Sequence, residues 1–291
     1  MGTAAGRVKE ELKTLPGNEM LTQTYCARFG GVLCVDGVYV RVKGWKKATP
    51  FIYGIDYETH DVPAGVLDFA ESEDAFRHFF TMVKDAGYPL RFVVSDEATA
   101  LKPALQEIFP DAKVQLCYVH VLRNIKETLG ITRVCTLHLP FFLRVRLLLK
   151  TRGEEARRGE FKAIQEEYGR NPLYRFVLSE VASKWDDLFR YEAVQRMGIR
   201  CPKTTNLIEG YNNHFKARVK NIKGFESFSS AMRFLNAWMI RRRFAPFTDC
   251  KKPFKHLNGY SSFEKSRNPD LPWPLIPGLS PPKHPKKGAR N

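Results

Sequence analysis

No stretch of the 291 residues approaches 18 uncharged apolar positions, so nothing in the sequence is suited to cross a bilayer as a helix. Met1 to Leu15 lacks the apolar run of a secretory signal. Cysteine is sparse and scattered. Cys26, Cys34, Cys117, Cys135, Cys201 and Cys250 occur singly with no Cys-x-x-Cys pair, which excludes a disulfide framework and points to reduced, mostly buried thiols. Acid is in deficit: 31 Asp+Glu face 47 Lys+Arg, a net charge of +16 that disfavours an acidic small-molecule binder and favours a polyanionic partner. No internal repeat is visible. Hydrophobic residues make up 43% of the chain, enough for a packed core in one large domain or two small ones. These features are read as a soluble cytoplasmic protein.

The charge is uneven. Arg241 to Asn291 holds 12 Lys/Arg and 3 Asp/Glu, and seven prolines fall between Pro269 and Pro285, so residues 246–291 are expected to form a basic, mostly extended tail. Upstream, Gly31 to Asp36, Val38 to Val42 and Pro50 to Ile55 alternate or carry β-branched and aromatic residues between turn formers, which predicts three successive antiparallel strands. Ser72 to Lys84 has a Ser cap, early acids and apolar positions at helical spacing, and stops before Gly87 and Pro89. Leu90 to Ser95 reads as a buried strand, Ala98 to Phe109 as a helix, Lys113 to Val119 as a further strand, and His120 as the opening of another helical segment. Residues from about 135 to 195 are helix-rich and basic, followed by two helices, Asn206 to Lys220 and Ser227 to Arg243. The expected class is α/β: a mixed five-stranded sheet in the order β-β-β-α-β-α-β-α with a helical insertion.

Asp36 and Asp96 each close a predicted buried strand, VLCVD and FVVSD. If those strands lie side by side, both carboxylates emerge at one edge, where a hard divalent cation would relieve their repulsion. An Asp after a strand routinely caps the next turn or helix instead, and Asp96 suits that role as an N-cap. Glu209 is a third acid. On a helix it shares a face with Asn213, Lys216 and Lys220, a set suited to a metal beside phosphates. Asn206 three residues earlier also gives Glu209 a capping-box spacing, and the two readings are compatible.

The ordered set VDGVYV around Asp36, SDEATAL around Asp96, CYVH at Cys117 to His120, and TTNLIEGYNNHFKARVK around Glu209 resembles the mutator-type lineage of bacterial insertion-sequence transposases. That lineage belongs to the DDE superfamily, whose catalytic domain has the RNase H-like fold. The similarity runs from about Val32 to Arg243. It implies that Asp36, Asp96 and Glu209 are the catalytic, metal-binding triad for two Mg2+ (or Mn2+) ions, and that the chemistry is DNA strand cleavage and strand transfer by in-line displacement. It also implies double-stranded DNA as partner, both element ends and target, with a homodimer in the DNA complex and a nucleoid-associated location. The division it suggests is 1–30 as an N-terminal remnant or linker, 31–125 as the first part of the core, 126–200 as the helical insertion, 201–245 as the C-terminal core helices and 246–291 as the tail. Relatives usually carry a DNA-binding region before the first Asp, and only 35 residues precede Asp36 here. The expectation is therefore a truncated or split copy, or one that holds DNA through insertion and tail.

Cys117 and His120 form half of a zinc-site spacing without a second pair, so they are read as a core thiol and a turn residue, or as auxiliaries of the acids together with Asn213. Lys216, Arg218, Lys220, Lys223, Arg241, Arg242 and Arg243 concentrate after Glu209 and are taken as DNA-binding. The rival readings are an RNase H-like nuclease or resolvase, and a non-catalytic DNA-binding remnant. A general RNA-binding protein is disfavoured, since neither an aromatic ribonucleoprotein motif nor a GxxG clamp is present.

Overall fold

The computed structural model describes residues 12–96, 99–276, 278 and 279. In chain order the elements are α1 (Asn18–Tyr25), β1 (Val32–Val40), β2 (Thr49–Asp56), β3 (Gly65–Leu67), α2 (Glu73–Asp85), β4 (Phe92–Ser95), α3 (Leu101–Ile108), β5 (Lys113–Leu116), α4 (Tyr118–Thr128), α5 (Leu139–Leu148), α6 (Glu154–Tyr168), α7 (Pro172–Ser183), α8 (Trp185–Arg196), α9 (Asn206–Val219), α10 (Phe228–Phe244) and α11 (Ser262–Ser266). The strands make one five-stranded sheet ordered β3-β2-β1-β4-β5. β1 to β3 pair antiparallel. The start of β4 bonds to Gly31 at the start of β1, and Ser95 at the end of β4 accepts from Cys117 just past β5, so those neighbours run parallel and the sheet is mixed. No helix among the described residues is long and apolar enough to cross a membrane.

Strand number and order match the sequence-based expectation, but the first three strands are distributed differently. The segments read as two strands on either side of Asp36-Gly37 are one, β1, because Gly37 stays in register opposite Ile52 and Asp36 opposite Tyr53. The turn falls later, at Gly44, whose φ of +87° only glycine adopts without strain. The third strand is Gly65–Leu67, three residues long and too short to carry a period. α3 begins at Leu101, and the expected start at Ala98 lies outside the described residues. β5 ends at Leu116 rather than Val119, since Cys117 already caps α4.

The chain divides into two compact units, residues 1–93, 99–112 and 206–291, and residues 94–98 and 113–205. In the first, every residue of β2 is buried, so both sheet faces are covered. On one face Phe51 and Tyr53 meet Phe215 of α9 and Trp238 of α10, with Tyr53–Trp238 centroids 5.5 Å apart and Phe215–Trp238 5.0 Å apart. α2 packs against β2 and β3. It forms because Ser72 accepts a hydrogen bond from the Ala75 amide, acids occupy its first turn, and Phe76, Phe79, Phe80 and Val83 recur at the spacing that buries one face.

A buried ion pair organises the rest of this unit. Arg243, on the inward stripe of α10, is 0% exposed. Its Nε and Nη2 donate to Asp61 at 2.9 and 2.8 Å, Nη1 donates to Asn18 and Thr22 of α1, and Nη2 also reaches the Cys26 sulfur. Asp61 accepts further bonds from Ser262 and Ser266 of α11. Two expectations change here. Residues 18–25 are not a linker: α1 is anchored by this network and by Leu21 in the core. Residues 246–276 are not mostly extended either. Phe247, Leu257, Phe263 and Ile276 are buried, and the capping box of Ser261 and Glu264 starts α11. The prolines lie mostly after that helix, so aromatic and aliphatic burial governs the earlier part; residues 280–291 lie outside the described residues.

The second unit holds β5 and helices α4 to α8. Gln115 ties β5 to α8, donating to the Leu188 carbonyl and accepting from the Tyr191 amide. Some of the basic residues of this segment pair internally. Arg144 pairs with Glu160 and Glu167, and Arg158 with Glu154. Arg157, 2% exposed, pairs with Glu192 and lies over the Phe189 ring.

Removing one partner of a buried pair leaves an uncompensated charge. Arg243→Met and Asp61→Ala are each expected to lower unfolding free energy by about 3–5 kcal/mol, and the double variant by less than their sum. Urea denaturation of the four proteins checks this. His60, in the loop before Asp61, is held down to about 4 by burial, with Arg242 and His256 adding to it. A lowered histidine value means the unfolded chain binds the proton more readily. Stability is then full above the ordinary value of 6.5 and is lost as pH falls from there towards 4. His60→Asn, which tolerates the left-handed φ of 59° at this position, should flatten that slope in pH-dependent melts.

Candidate active site

Asp36 sits in the middle of β1, where a strand residue facing a helix is held on both sides. Its Oδ1 accepts from the Gly37 amide at 2.8 Å, and its Oδ2 from Asn212 Nδ2 of α9 at 2.7 Å. The Asn212 carbonyl in turn accepts from the Tyr53 hydroxyl at 2.6 Å. Tyr53 is Asp36's cross-strand partner, and both it and Asn212 are buried. Burial, reinforced by the Asp36 charge, pushes the Tyr53 phenol well above its ordinary value, so it stays protonated and donates. The relay fixes the amide's orientation and, through it, that of the Asp36 carboxylate.

α9 presents Ile208, Tyr211, Asn212 and Phe215 to the core. Glu209 is half-buried in its first turn, one helical turn before the residue that grips Asp36. Asn213, predicted on the Glu209 face, is exposed, and it is the neighbouring Asn212 that reaches Asp36. A polar residue inside the Ile208–Tyr211–Phe215 apolar stripe was the available sign.

In the second unit, Asp96 follows β4 directly and is half-buried. It does not cap α3, which Ala100 precedes. The Cys117 amide bonds to the Ser95 carbonyl, so Asp96 and Cys117 leave adjacent strands at the same edge. Cys117 is fully buried as the N-cap of α4, and His120 lies in that helix's first turn. Thr205 donates its amide to the Cys117 sulfur at 3.3 Å, and its hydroxyl lies 3.3 Å from His120 Nδ1. Burial raises the Cys117 thiol, but hydrogen bonds from His120 and Thr205 outweigh it and leave its pKa below the ordinary value. Cys117 and His120 thus form one polar cluster with Thr205.

The predicted basic set divides. Lys216, Arg218, Lys220, Lys223 and Arg241 are exposed. Arg242 is half-buried, its guanidinium 4.3 Å from the Tyr211 ring centroid and 5.0 Å from that of Phe247. Arg243 does not belong with them: it faces the core and is consumed by Asp61. Arg218, Arg241 and Arg242 join His214 and Trp238 around a cavity of about 620 Å³, an electropositive hollow between α9 and α10.

The family model described as "Transposase, Mutator family" matches residues 6–243. The transposase for insertion sequence element IS256 in transposon Tn4001 of Staphylococcus aureus is 26% identical over 214 residues, 72% of this chain and 54% of that protein. The transposase for insertion sequence element ISRM5 of Rhizobium meliloti is 24% identical over 240 residues, 76% and 57% respectively. The chain therefore spans a little over half the length of these relatives. Among solved structures, the Drosophila P element transposase strand transfer complex aligns over 91% of this chain and 83% of that one, at 11% identity and a TM-score of 0.31.

Asn212→Leu should strand the Tyr53 hydroxyl in the core at a cost of about 1–3 kcal/mol. Adding Tyr53→Phe should recover part of that loss. Chemical denaturation reads the coupling, and strict additivity of the two changes would break the relay.

Proposed function

The chain belongs to the Mutator family of transposases, and from that premise we propose that it is a DDE transposase that cleaves DNA and transfers the strand through Asp36, Asp96 and Glu209. The observation that carries this reading is the Asn212 bridge: the helix bearing Glu209 is fastened to Asp36 by a hydrogen bond one turn away. The strand order β3-β2-β1-β4-β5, with three antiparallel strands followed by two parallel ones, supports an RNase H-like core. Asp36 lies within β1 and Asp96 directly follows β4, the strand beside β1 in that sheet.

The donor set suits a hard cation: carboxylate oxygens, with both Asp36 oxygens steadied by one hydrogen bond each. Asp36, Asp96 and Glu209 are the residues that would hold Mg2+ or Mn2+, two ions in this reading. When bound, such ions supply charge that favours deprotonation of an attacking water or 3′-hydroxyl and steadies the leaving 3′-oxygen. The chain's own part is to orient and bind. Asn212 holds the Asp36 carboxylate in one rotation, and Tyr53 holds Asn212. Cys117, His120 and Asn213 are proposed as auxiliaries beside the acids. Lys216, Arg218, Lys220, Lys223, Arg241 and Arg242 grip the phosphates of double-stranded DNA, at element ends and target, and two copies act together in the DNA complex. Such contacts are sequence-independent and weaken steeply with salt.

The test is Mg2+- or Mn2+-dependent nicking and joining of DNA carrying the element's ends, for wild type and for Asp36→Ala, Asp96→Ala and Glu209→Ala, each with its DNA affinity. Each variant is expected to lose about a thousandfold or more in rate while binding DNA almost as before. Strand transfer by any of the three at the wild-type rate sinks the triad. Nicking without joining would favour the purely hydrolytic alternative.

A further inference from the structure

The turn between β1 and β2 carries a surface that none of the residues assigned above explains, apart from Lys223 at its rim. Arg41, Lys43, Lys46, Lys47 and Lys223 surround a cavity of about 540 Å³ together with Trp45. A single acid, Glu226, shares the lining. The basic side chains are all exposed, as is Trp45 at 50%.

This is a fixed surface rather than a loose loop. Val42 is buried, the Lys43 amide donates to the Phe225 carbonyl at 2.8 Å, and the Phe225 amide donates to the Arg41 carbonyl at 2.8 Å. Gly44 supplies the left-handed bend, and the Trp45 amide closes it onto the Val42 carbonyl. The bend sets the Trp45 ring on Phe69, centroids 4.5 Å apart with 21° between the planes, and Phe69 on Phe228 at 5.2 Å. Phe69 is itself 57% exposed. An indole stacked on one side and half open to solvent, ringed by five cations, has a chemistry that matches one ligand. It offers a π-face for a base and ammonium or guanidinium groups for the flanking phosphates. Bases in a duplex are already stacked on each other and cannot use such a face, whereas an unpaired base can.

We propose that the β1–β2 turn is a single-strand grip, in which an unpaired DNA base stacks on Trp45 and Arg41, Lys43, Lys46, Lys47 and Lys223 hold the adjoining phosphates. The proposal rests on the reading of DNA as partner and extends it to a class of DNA that the triad does not distinguish. The base contact is the element that discriminates, and the cations act on any strand.

The experiment uses the full chain in chelator, without divalent metal, so that it does not depend on the triad. Fluorescence anisotropy measures affinity for labelled oligothymidine and for a duplex of equal length, in wild type, Trp45→Ala, Trp45→Phe and the triple variant Lys43→Gln/Lys46→Gln/Lys47→Gln. Trp45→Ala should weaken single-strand binding about tenfold and leave duplex binding within about twofold. Trp45→Phe should restore much of the loss. The triple variant should weaken both ligands and reduce the salt slope by about two to three. Unchanged melting temperatures establish that the exposed substitutions leave the fold intact. Equal affinity of Trp45→Ala and wild type for the single strand overturns the grip, as does an equal loss for both DNAs. So does a change in oligomeric state by light scattering with DNA affinity unaltered, which would make the aromatic ledge a contact between copies. A wild-type chain that binds neither DNA fails the underlying DNA reading itself, and that result is distinct from all of these.

Discussion

The Asp61–Arg243 pair is the constraint on which the first unit depends. A guanidinium and a carboxylate with no exposure survive only when every donor and most lone pairs are met, and the structure meets them with groups drawn from four separate segments. That requirement places α1, the loop after β2, the end of α10 and the start of α11 around one point. It also keeps α10 in a single rotation, with Arg242 stacked on Tyr211 and Phe247 and Arg241 facing outward beside it. Three consecutive arginines thereby acquire three different environments: solvent, an aromatic clamp and the core. The hollow lined by Arg218, Arg241 and Arg242 takes its form from that rotation.

The helix before it works on a similar principle. α9 buries Ile208, Tyr211 and Phe215, and the one amide among them, Asn212, exists in that apolar stripe because Tyr53 and Asp36 satisfy both of its ends. Such a buried polar contact specifies more than an apolar one would, since rotation or slippage of α9 leaves a phenol and a carboxylate unpaired. The aromatic packing of Phe51, Tyr53, Phe215 and Trp238 supplies the area, and the relay supplies the register.

Legibility in the sequence follows the strength of local signals. α2 and α10 were readable because Ser72 and Ser227 cap them and their periods are long. β3 was not, because three residues contain no period. Asp36-Gly37 looked like the end of a strand, yet pairing across to β2 carries the chain straight through, a non-local effect that no window of residues contains. Arg243 was misassigned for the same kind of reason. Its charge suggests solvent, and only its spacing from Met239 and Ile240 places it on the buried stripe. Of the candidate site, the acids and the cysteine–histidine spacing stood out as motifs. Asn212 and Tyr53 did not, since an amide and a phenol gain meaning only from what they face. The segment after Pro246 misled through its prolines and charge, while Phe263 against Phe244, with centroids 4.4 Å apart, decided its course.

The same ion pair bears on how the protein is made. Asp61 precedes Arg243 by 182 residues, and Ser262 and Ser266 follow later still. During translation the carboxylate emerges long before its counter-charge, so the first unit cannot close around it until residues 243 to 266 have left the ribosome. The second unit, continuous from residue 113 to 205 apart from one short strand segment, is synthesised in full before that moment. Biosynthesis thus runs ahead of assembly in the unit that carries Asp36, and a nascent chain stalled before Arg243 would expose an unmatched acid where the core should form.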